Sequence, residues 1–343
     1  MKKNEEHTDS KPEISLPGEG TREQISRPRF SFSHSHRLYL APMAGATNTV
    51  FRQICRQMGA DVLTSEMVSA EGILHCNERT RHYIEFAPAE RPFGIQLFGA
   101  NPEKLVEATR FVIARAAPDF IDLNFGCPVN KVVGKNGGSS VLRDFPLMAR
   151  ITQAVVQAAE ETPVTAKIRT GWDANHIVAV EAAQLLEACG VRQVTIHGRT
   201  RAQGYAGEAD WEPIAQAAAA IKIPVIGNGD IRTGEDALQR IRETGVAGLM
   251  IGRAAMASPW VFAEIRAALA GKPFTQPTRE ERVSLILEHC RREIEWRGAE
   301  RPAIASMRSR LMAYARGLGG GATMRDALAT VRDIAGVEKI FTA

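Results

Sequence analysis

No run of about 18 apolar residues occurs anywhere in the 343-residue chain, so no membrane-spanning helix is expected. Cysteine is scarce. Cys55, Cys76, Cys127, Cys189 and Cys290 are odd in number, widely scattered and contain no CxxC pair. That pattern argues against a disulfide framework and against a cysteine-based zinc or iron–sulfur site, and no metal is expected. The opening residues, MKKNEEHTDSKPEISLPGEGTREQ, are too polar for a secretory signal, and a reducing cytoplasm is the expected location. No GxGxxG follows an early strand. The Gly-rich GKNGGSS (134–140) is no Walker loop, because its lysine precedes the glycines. Net charge is small at +4, but it is unevenly placed: residues 266–343 carry 14 Lys+Arg against 9 Asp+Glu. The tail therefore holds more than the whole excess. A solvated helical surface and a nucleic-acid contact both fit that charge.

What is present is an alternation of short apolar runs with amphipathic stretches. Residues 1–30 read as a flexible lead, polar and rich in charge. Eight candidate strands follow: LYLAPM (38–43), DVLTSEM (61–67), FGIQLF (93–98), FIDLNFG (120–126), VTAKIR (164–169), QVTIHG (193–198), PVIGN (224–228) and GLMIGR (248–253). Each spacing leaves room for a helix. The fold class is α/β, and eight such units predict a closed (β/α)8 TIM barrel over 31–270. Helical segments at 280–297 and 301–317, then a last helix near 323–335 after GLGGG, predict a small all-helical domain over 275–343.

Reactive side chains recur at the strand ends: Pro42 and Met43, Glu66, Gln96, Asn124 and Cys127, Lys167 and Arg169, His197, Asn228, Gly252 and Arg253. In a barrel these ends converge on one face. HGR (197–199), GNGD (227–230) and IGR (251–253) bring glycines to the last loops, where backbone N–H groups can approach phosphate oxygens and Arg253 can add a charged contact. Glycines used for turns alone are the alternative. Lys167 and His197 should point into the mouth, where a cation would stabilise an anionic reduced flavin. A salt-bridged lysine and a structural histidine are the competing readings. Gln96 can bond a ring's carbonyl and N–H edge. Cys127 lies on an active-face loop, and its thiol can serve as nucleophile or as general acid.

Taken together, LAPMAGATN (40–48), TSEMVSAEG around Glu66, IQLFG (95–99), DLNFGCPVNKV (122–132), KIRTGW (167–172), HGRTRAQGYAGEADW (197–211), PVIGNGDI (224–231) and LMIGRAAMASPWVF (249–262) resemble the tRNA-dihydrouridine synthase family over about 38–335. MRSRLMAYARGLGGGATMRDAL (307–328) is most similar to its bacterial B-type branch. The resemblance implies an FMN enzyme. Pro42, Met43 and Ala44 would lie against the flavin, and Gln96, Lys167 and His197 would contact its ring. Asn228, Gly229, Asp230, Gly252 and Arg253 would hold its phosphate and ribitol. Cys127 would be the general acid and Asn124 would line the substrate pocket. Arg199, Arg201 and the tail, with Arg308, Arg310 and Arg316, would hold the tRNA backbone. Departures from the usual pattern are Phe125 for methionine, Asn48 for aspartate, Ala257 for glycine, and the GKNGGSS loop for a commoner AGS form.

The implied reaction has NADPH or NADH reducing FMN, then hydride passing from flavin N5 to C6 of a flipped-out uridine while Cys127 protonates C5. The branch resemblance leans toward position 17 of the D-loop, and a monomer is the default expectation. The main rival is an FMN oxidoreductase acting on a free pyrimidine, such as a dihydropyrimidine or dihydroorotate dehydrogenase. An RNA-binding barrel without turnover and a Schiff-base aldolase using Lys167 are weaker rivals.

Overall fold

The computed structural model describes residues 30–32, 36–74, 82–319 and 321–342. Residues 1–29 of the expected lead 1–30, and Cys76, lie outside them. Among the described residues, the chain alternates strand and helix in this order: β1 (Arg37–Leu40), α1 (Thr49–Gln57), β2 (Leu63–Thr64), β3 (Val68–Ser69), α2 (Ala70–Leu74), β4 (Phe93–Phe98), α3 (Pro102–Ala116), β5 (Phe120–Phe125), α4 (Asn130–Val133), α5 (Phe145–Ala159), β6 (Val164–Arg169), α6 (Ala179–Ala188), β7 (Val194–His197), α7 (Glu212–Ala220), β8 (Val225–Asn228), α8 (Gly234–Thr244), β9 (Gly248–Ile251), α9 (Arg253–Ala257) and α10 (Val261–Leu269). All the paired strands run parallel, in the order β1-β9-β8-β7-β6-β5-β4-β2. A parallel bridge between Tyr39 and Val62 joins the two ends. The eight-position barrel that the strand pattern predicts is therefore the fold.

Helix starts are written in local chemistry. Asn48, Asn101 and Asp144 accept from the N–H of Phe51, Lys104 and Leu147, capping α1, α3 and α5. Thr233 and Asp236 form a reciprocal capping box at α8. Such caps satisfy donors that a helix leaves open at its first turn.

The second barrel position departs from expectation. The stretch read as one strand over 61–67 is split into β2 and β3, both paired to β4. Three steps on β4, Gly94 to Leu97, oppose four on the split strand, Thr64 to Val68, which is the extra residue of a bulge. At the break Ser65 N donates to Gly94 O, and Ser65 Oγ accepts from Gln96 N at 2.9 Å, replacing a ladder bond.

The barrel floor is apolar. Tyr39, Val62, Phe120, Ile226 and Met250 are buried together, with Phe30 and Phe32 packed against them. Phe30 stacks on Phe120 at 5.9 Å and receives the Arg37 guanidinium at 4.6 Å. Polar side chains occupy the opposite end of the barrel.

The tail is all helical: α11 (Arg279–Arg297), α12 (Glu300–Gly317), α13 (Ala322–Thr330) and α14 (Ile334–Thr342). The single last helix expected near 323–335 is two. Val331 leaves helical geometry, and Asp333 starts a new helix by accepting from Gly336 N at 2.7 Å. These helices share their own apolar cluster, including Ile286, Leu287, Met307, Leu311, Leu328 and Phe341. They dock on the barrel through α1 against α11 and α9 against α12. No helix among the described residues is long and apolar enough to cross a membrane.

Candidate active site

Register places one polar layer at the C-terminal mouth. Gln96 pairs with Asp122, Asn124 with Lys167, and Arg169 with His197, which pairs in turn with Asn228. Alternation along a strand then sends Asp122 and Asn124 to the same side.

Their side chains form a relay that ends at the cysteine. Thr165 Oγ1 and Gln96 Nε2 donate to the two oxygens of Asp122, at 2.5 and 2.6 Å. Asn124 Nδ2 donates to Gln96 Oε1 at 2.7 Å. Asn124 Oδ1 accepts from the N–H of Gly126 and of Cys127, at 3.0 and 2.9 Å. Cys127 is also held from behind. Ser139 donates to its carbonyl through both N and Oγ, at 3.1 and 2.9 Å. Gly138 has φ +58°, and a Cβ there would stand 2.7 Å from that carbonyl. The GKNGGSS loop therefore shapes the cysteine's seat. Burial pushes the Cys127 thiol above its ordinary range, so it is protonated at neutral pH.

The far rim is cationic. Arg253 opens α9 beyond β9, and β9 stands four positions from β5 around the barrel, so Arg253 and Cys127 face each other across the mouth. Asp230 accepts from Arg199 Nη2 and Arg253 Nη2, both at 2.7 Å, and from Ala209 N at 2.8 Å. Burial alone would raise its carboxyl, but these donors hold it below the usual carboxylate range. Lys167 Nζ donates to Asn228 Oδ1 at 3.2 Å, and Asn228 Nδ2 donates to Met250 O. Arg169 braces the loops, donating to the carbonyls of Gly126, Thr200 and Gly204.

Among the described residues, the ion pairs of these four cations are Arg199–Asp230 and Arg253–Asp230. Lys167 is not salt-bridged, and the mouth carries more positive than negative charge. Desolvation and the Arg169 charge lower Lys167 to about 8. Desolvation, with Lys167, Arg169, Arg199 and Arg253 nearby, lowers His197 to about 2, so its imidazole is neutral.

The turn after β1 closes the ring. Met43 Sδ lies 3.6 Å from where a Cβ on Gly252 would stand, so Pro42–Ala44 border the Arg253 side. Gly45 N donates to Glu66 Oε2 at 2.7 Å. Burial raises the Glu66 carboxyl above its ordinary range, outweighing the Gly45 hydrogen bond and the nearby arginine charges that pull it down.

The structure thus gathers Pro42, Met43, Ala44, Gln96, Asn124, Cys127, Lys167, His197, Asn228, Gly229, Asp230, Gly252 and Arg253 at one mouth. It separates the arginines expected to grip RNA. Arg199 is buried in the Asp230 pair. Arg310 is buried between tail and barrel, over the Phe51 ring and bonded to the Ala46 carbonyl. Neither guanidinium reaches the surface. Arg308 donates to the carbonyl of Val331 at the end of α13. Arg201 is half-buried, bonded to Asn130 Oδ1 and stacked over Trp172 at 4.6 Å, while Arg316 is exposed.

Sequence reasoning did not assign roles to Asp122, Ser139, Arg169 or Tyr205. Asp122 carried a usable signal, being two residues before Asn124 on a strand. Tyr205 is 60% exposed, with Arg253 at 5.1 Å and Arg169 at 5.8 Å from its ring centre, and nothing local marks that convergence. A separate cavity of about 300 Å³ lies at the other end of β4, lined by Phe86, Arg91 and Arg115, away from this chemistry.

Comparison with known proteins agrees with this architecture. Residues 39–342 match the family described as dihydrouridine synthase (Dus). The chain is 44% identical over 255 residues to tRNA-dihydrouridine synthase B of Pseudomonas aeruginosa, covering 74% of this chain and 76% of that protein. It is 42% identical over 239 residues to tRNA-dihydrouridine synthase B of Xanthomonas axonopodis pv. citri, covering 70% and 71%. Among solved structures, TcOYE with pHBA superposes at TM-score 0.51 and 13% identity, covering 71% of this chain and 91% of that one, a likeness of fold alone. The chain belongs to the dihydrouridine synthase family.

Proposed function

We propose that this enzyme reduces specific uridines of tRNA to 5,6-dihydrouridine, with FMN seated in the barrel mouth and NADPH or NADH as reductant. The observation that carries the reading is the division of the mouth: a protonated, buried Cys127 on one side and an under-neutralised cationic rim on the other.

The residues fit FMN. Arg253, steered by Asp230, and the Gly229 and Gly252 turns suit a phosphate. Lys167 and the neutral His197 suit the electron-rich end of the flavin ring, and Gln96 keeps a second amide N–H for the ring edge while the first is bonded to Asp122. Pro42, Met43 and Ala44 form the wall beside Gly252. Bound there, FMN supplies a hydride to C6 of the uracil.

The chain's own groups do the rest. Cys127 is held by the Asn124 relay and gives its proton to C5. Its raised pKa keeps that proton available at neutral pH. Asn124 braces the Cys127 loop at the edge of the substrate pocket. Arg316, which is exposed, and Arg201, at the edge of the mouth, are the arginines of this set that would meet RNA phosphates. Arg199 and Arg310 act inside the protein instead.

The test is position-by-position mapping of dihydrouridine in tRNA from cells with and without this gene, complemented by the wild type or by Cys127→Ala. Loss at one or two positions, position 17 among them, restored by the wild type and not by the variant, is the expected result. An unchanged map, with the purified protein reducing a free pyrimidine, would move the small-molecule reading to first place.

A further inference from the structure

The turn Pro42–Asn48 borders the mouth, and three buried charged side chains hold it from two different units. From the barrel, Glu66 accepts from Gly45 N at 2.7 Å. From tail helix α12, Arg310 donates to the Ala46 carbonyl and lies 3.6 Å over the Phe51 ring. From tail helix α11, Glu293 Oε2 accepts from Asn48 Nδ2 at 2.7 Å, while its Oε1 accepts from Arg297 Nε at 2.6 Å. Glu293 is 1% exposed and Arg310 6%. Burying charge is costly unless it is well partnered. A tail serving only as an RNA handle has no need to sink a carboxylate and a guanidinium into its joint with the barrel.

Asn48 makes the point at the level of atoms. Its Oδ1 accepts from Phe51 N at 3.1 Å and caps α1. Its Nδ2 donates to Glu293. Aspartate would cap the helix equally well but would set a second carboxylate against Glu293 with no proton to offer. The amide at 48 therefore answers to the tail, not to the helix it begins.

We propose that Glu293 and Arg310 are positioning residues for the mouth: the docked tail sets the Pro42–Asn48 turn and, through it, the wall formed by Pro42, Met43 and Ala44. The proposal rests on the reading that FMN occupies the mouth. Coupling of this kind is reciprocal, so filling the mouth also tightens the tail on the barrel.

Asn48→Asp in the full chain keeps the cap and removes the donor. We expect faster deuterium exchange at the amides of 43–48 and an FMN dissociation constant raised about tenfold, the scale of a direct pair coupling. Adding Glu293→Gln returns a donor from the opposite side, and both readouts should come back to within about twofold of wild type. Should the single variant fail to fold, Arg310→Lys keeps the charge but loses the reach to the Ala46 carbonyl, and the same two readouts decide. A lower melting temperature with exchange and FMN affinity unchanged would reduce these residues to glue and overturn the proposal. So would a double variant no better than the single one. If the wild type takes up no FMN, the cofactor reading fails by itself, and the exchange of 43–48 still decides whether the tail sets the turn.

Discussion

Lys167 Nζ lies 3.2 Å from Asn228 Oδ1, tying the ends of β6 and β8 together across β7. The partner is a neutral amide. Among the described residues Lys167 has no ion pair: buried Asp122 favours its charge, Arg169 opposes it more strongly, and Asp230 already serves two arginines. A cation placed this way is poised for an anion that the chain itself does not supply.

That placement gives a pH dependence with a definite sign. Lys167 sits at about 8 in the folded chain, below its ordinary value, because burial and Arg169 disfavour the charged form. Its ammonium is lost as pH rises through about 8, so the FMN affinity of the apoprotein should fall over about pH 7 to 9.5. Stability moves the other way. A lysine depressed by folding opposes folding most below about 8, and that penalty is relieved as pH climbs toward about 10.4. Weaker binding at high pH would then not reflect unfolding. FMN titrations alongside thermal melts check this, with Lys167→Met expected to flatten the binding profile. A wild-type affinity independent of pH would remove the lysine from the binding step.

His197 should show no titration through the neutral range. Desolvation first, then Lys167, Arg169, Arg199 and Arg253, hold it near 2. Nitrogen-15 NMR of labelled histidines should find its imidazole neutral from about pH 5 to 8, with His197→Gln assigning the signal. The unfolded chain would take up this proton near 6.5, so His197 contributes instability as pH falls below that value. A resonance moving near pH 6.5 would mean that the ring is more hydrated, and the mouth less cationic, than the geometry indicates.

Much of this was legible in the sequence because it is periodic. Strand and helix alternate, and VTAKIR and FGIQLF coincide with β6 and β4 to the residue. The strand-end residues met at one mouth because a closed parallel barrel leaves them nowhere else to go. What stayed hidden depends on partners far away in the chain. The bulge at Ser65 is visible only once Gln96 is beside it. Arg310 reads as a surface cation on an Arg-rich helix until the Phe51 ring and the Ala46 carbonyl appear across the junction. Asn48 looked like a departure from its family and proves to be a donor to Glu293.

Gly227→Ala should damage the barrel wall beneath the proposed phosphate site. A Cβ at 227 would stand 2.2 Å from the Trp211 ring, whose Nε1 also donates to Gly229 O at 3.2 Å. The indole cannot retreat without losing that bond. Overpacking of this kind costs about 1–3 kcal/mol, and denaturant melts should show it together with weaker FMN retention, because Gly229 moves with the ring. Full stability in this variant would show that Trp211 has room that the packing does not reveal.

Two arginines on one tail helix should separate stability from RNA binding. Arg308 donates to the Val331 carbonyl through Nε and Nη2, at 3.0 and 2.8 Å, satisfying a group that the end of α13 leaves open. Arg308→Ala should lower stability by about 1 kcal/mol while leaving the salt dependence of tRNA binding nearly unchanged. Arg316 is exposed at the end of α12. Arg316→Ala should leave melting unchanged and weaken tRNA binding, reducing the slope of log affinity against log salt by about 1. Filter binding across a salt series, with thermal melts of both variants, separates the two roles. An unchanged slope in Arg316→Ala would place the RNA elsewhere, on the Arg201 and Trp172 side of the mouth.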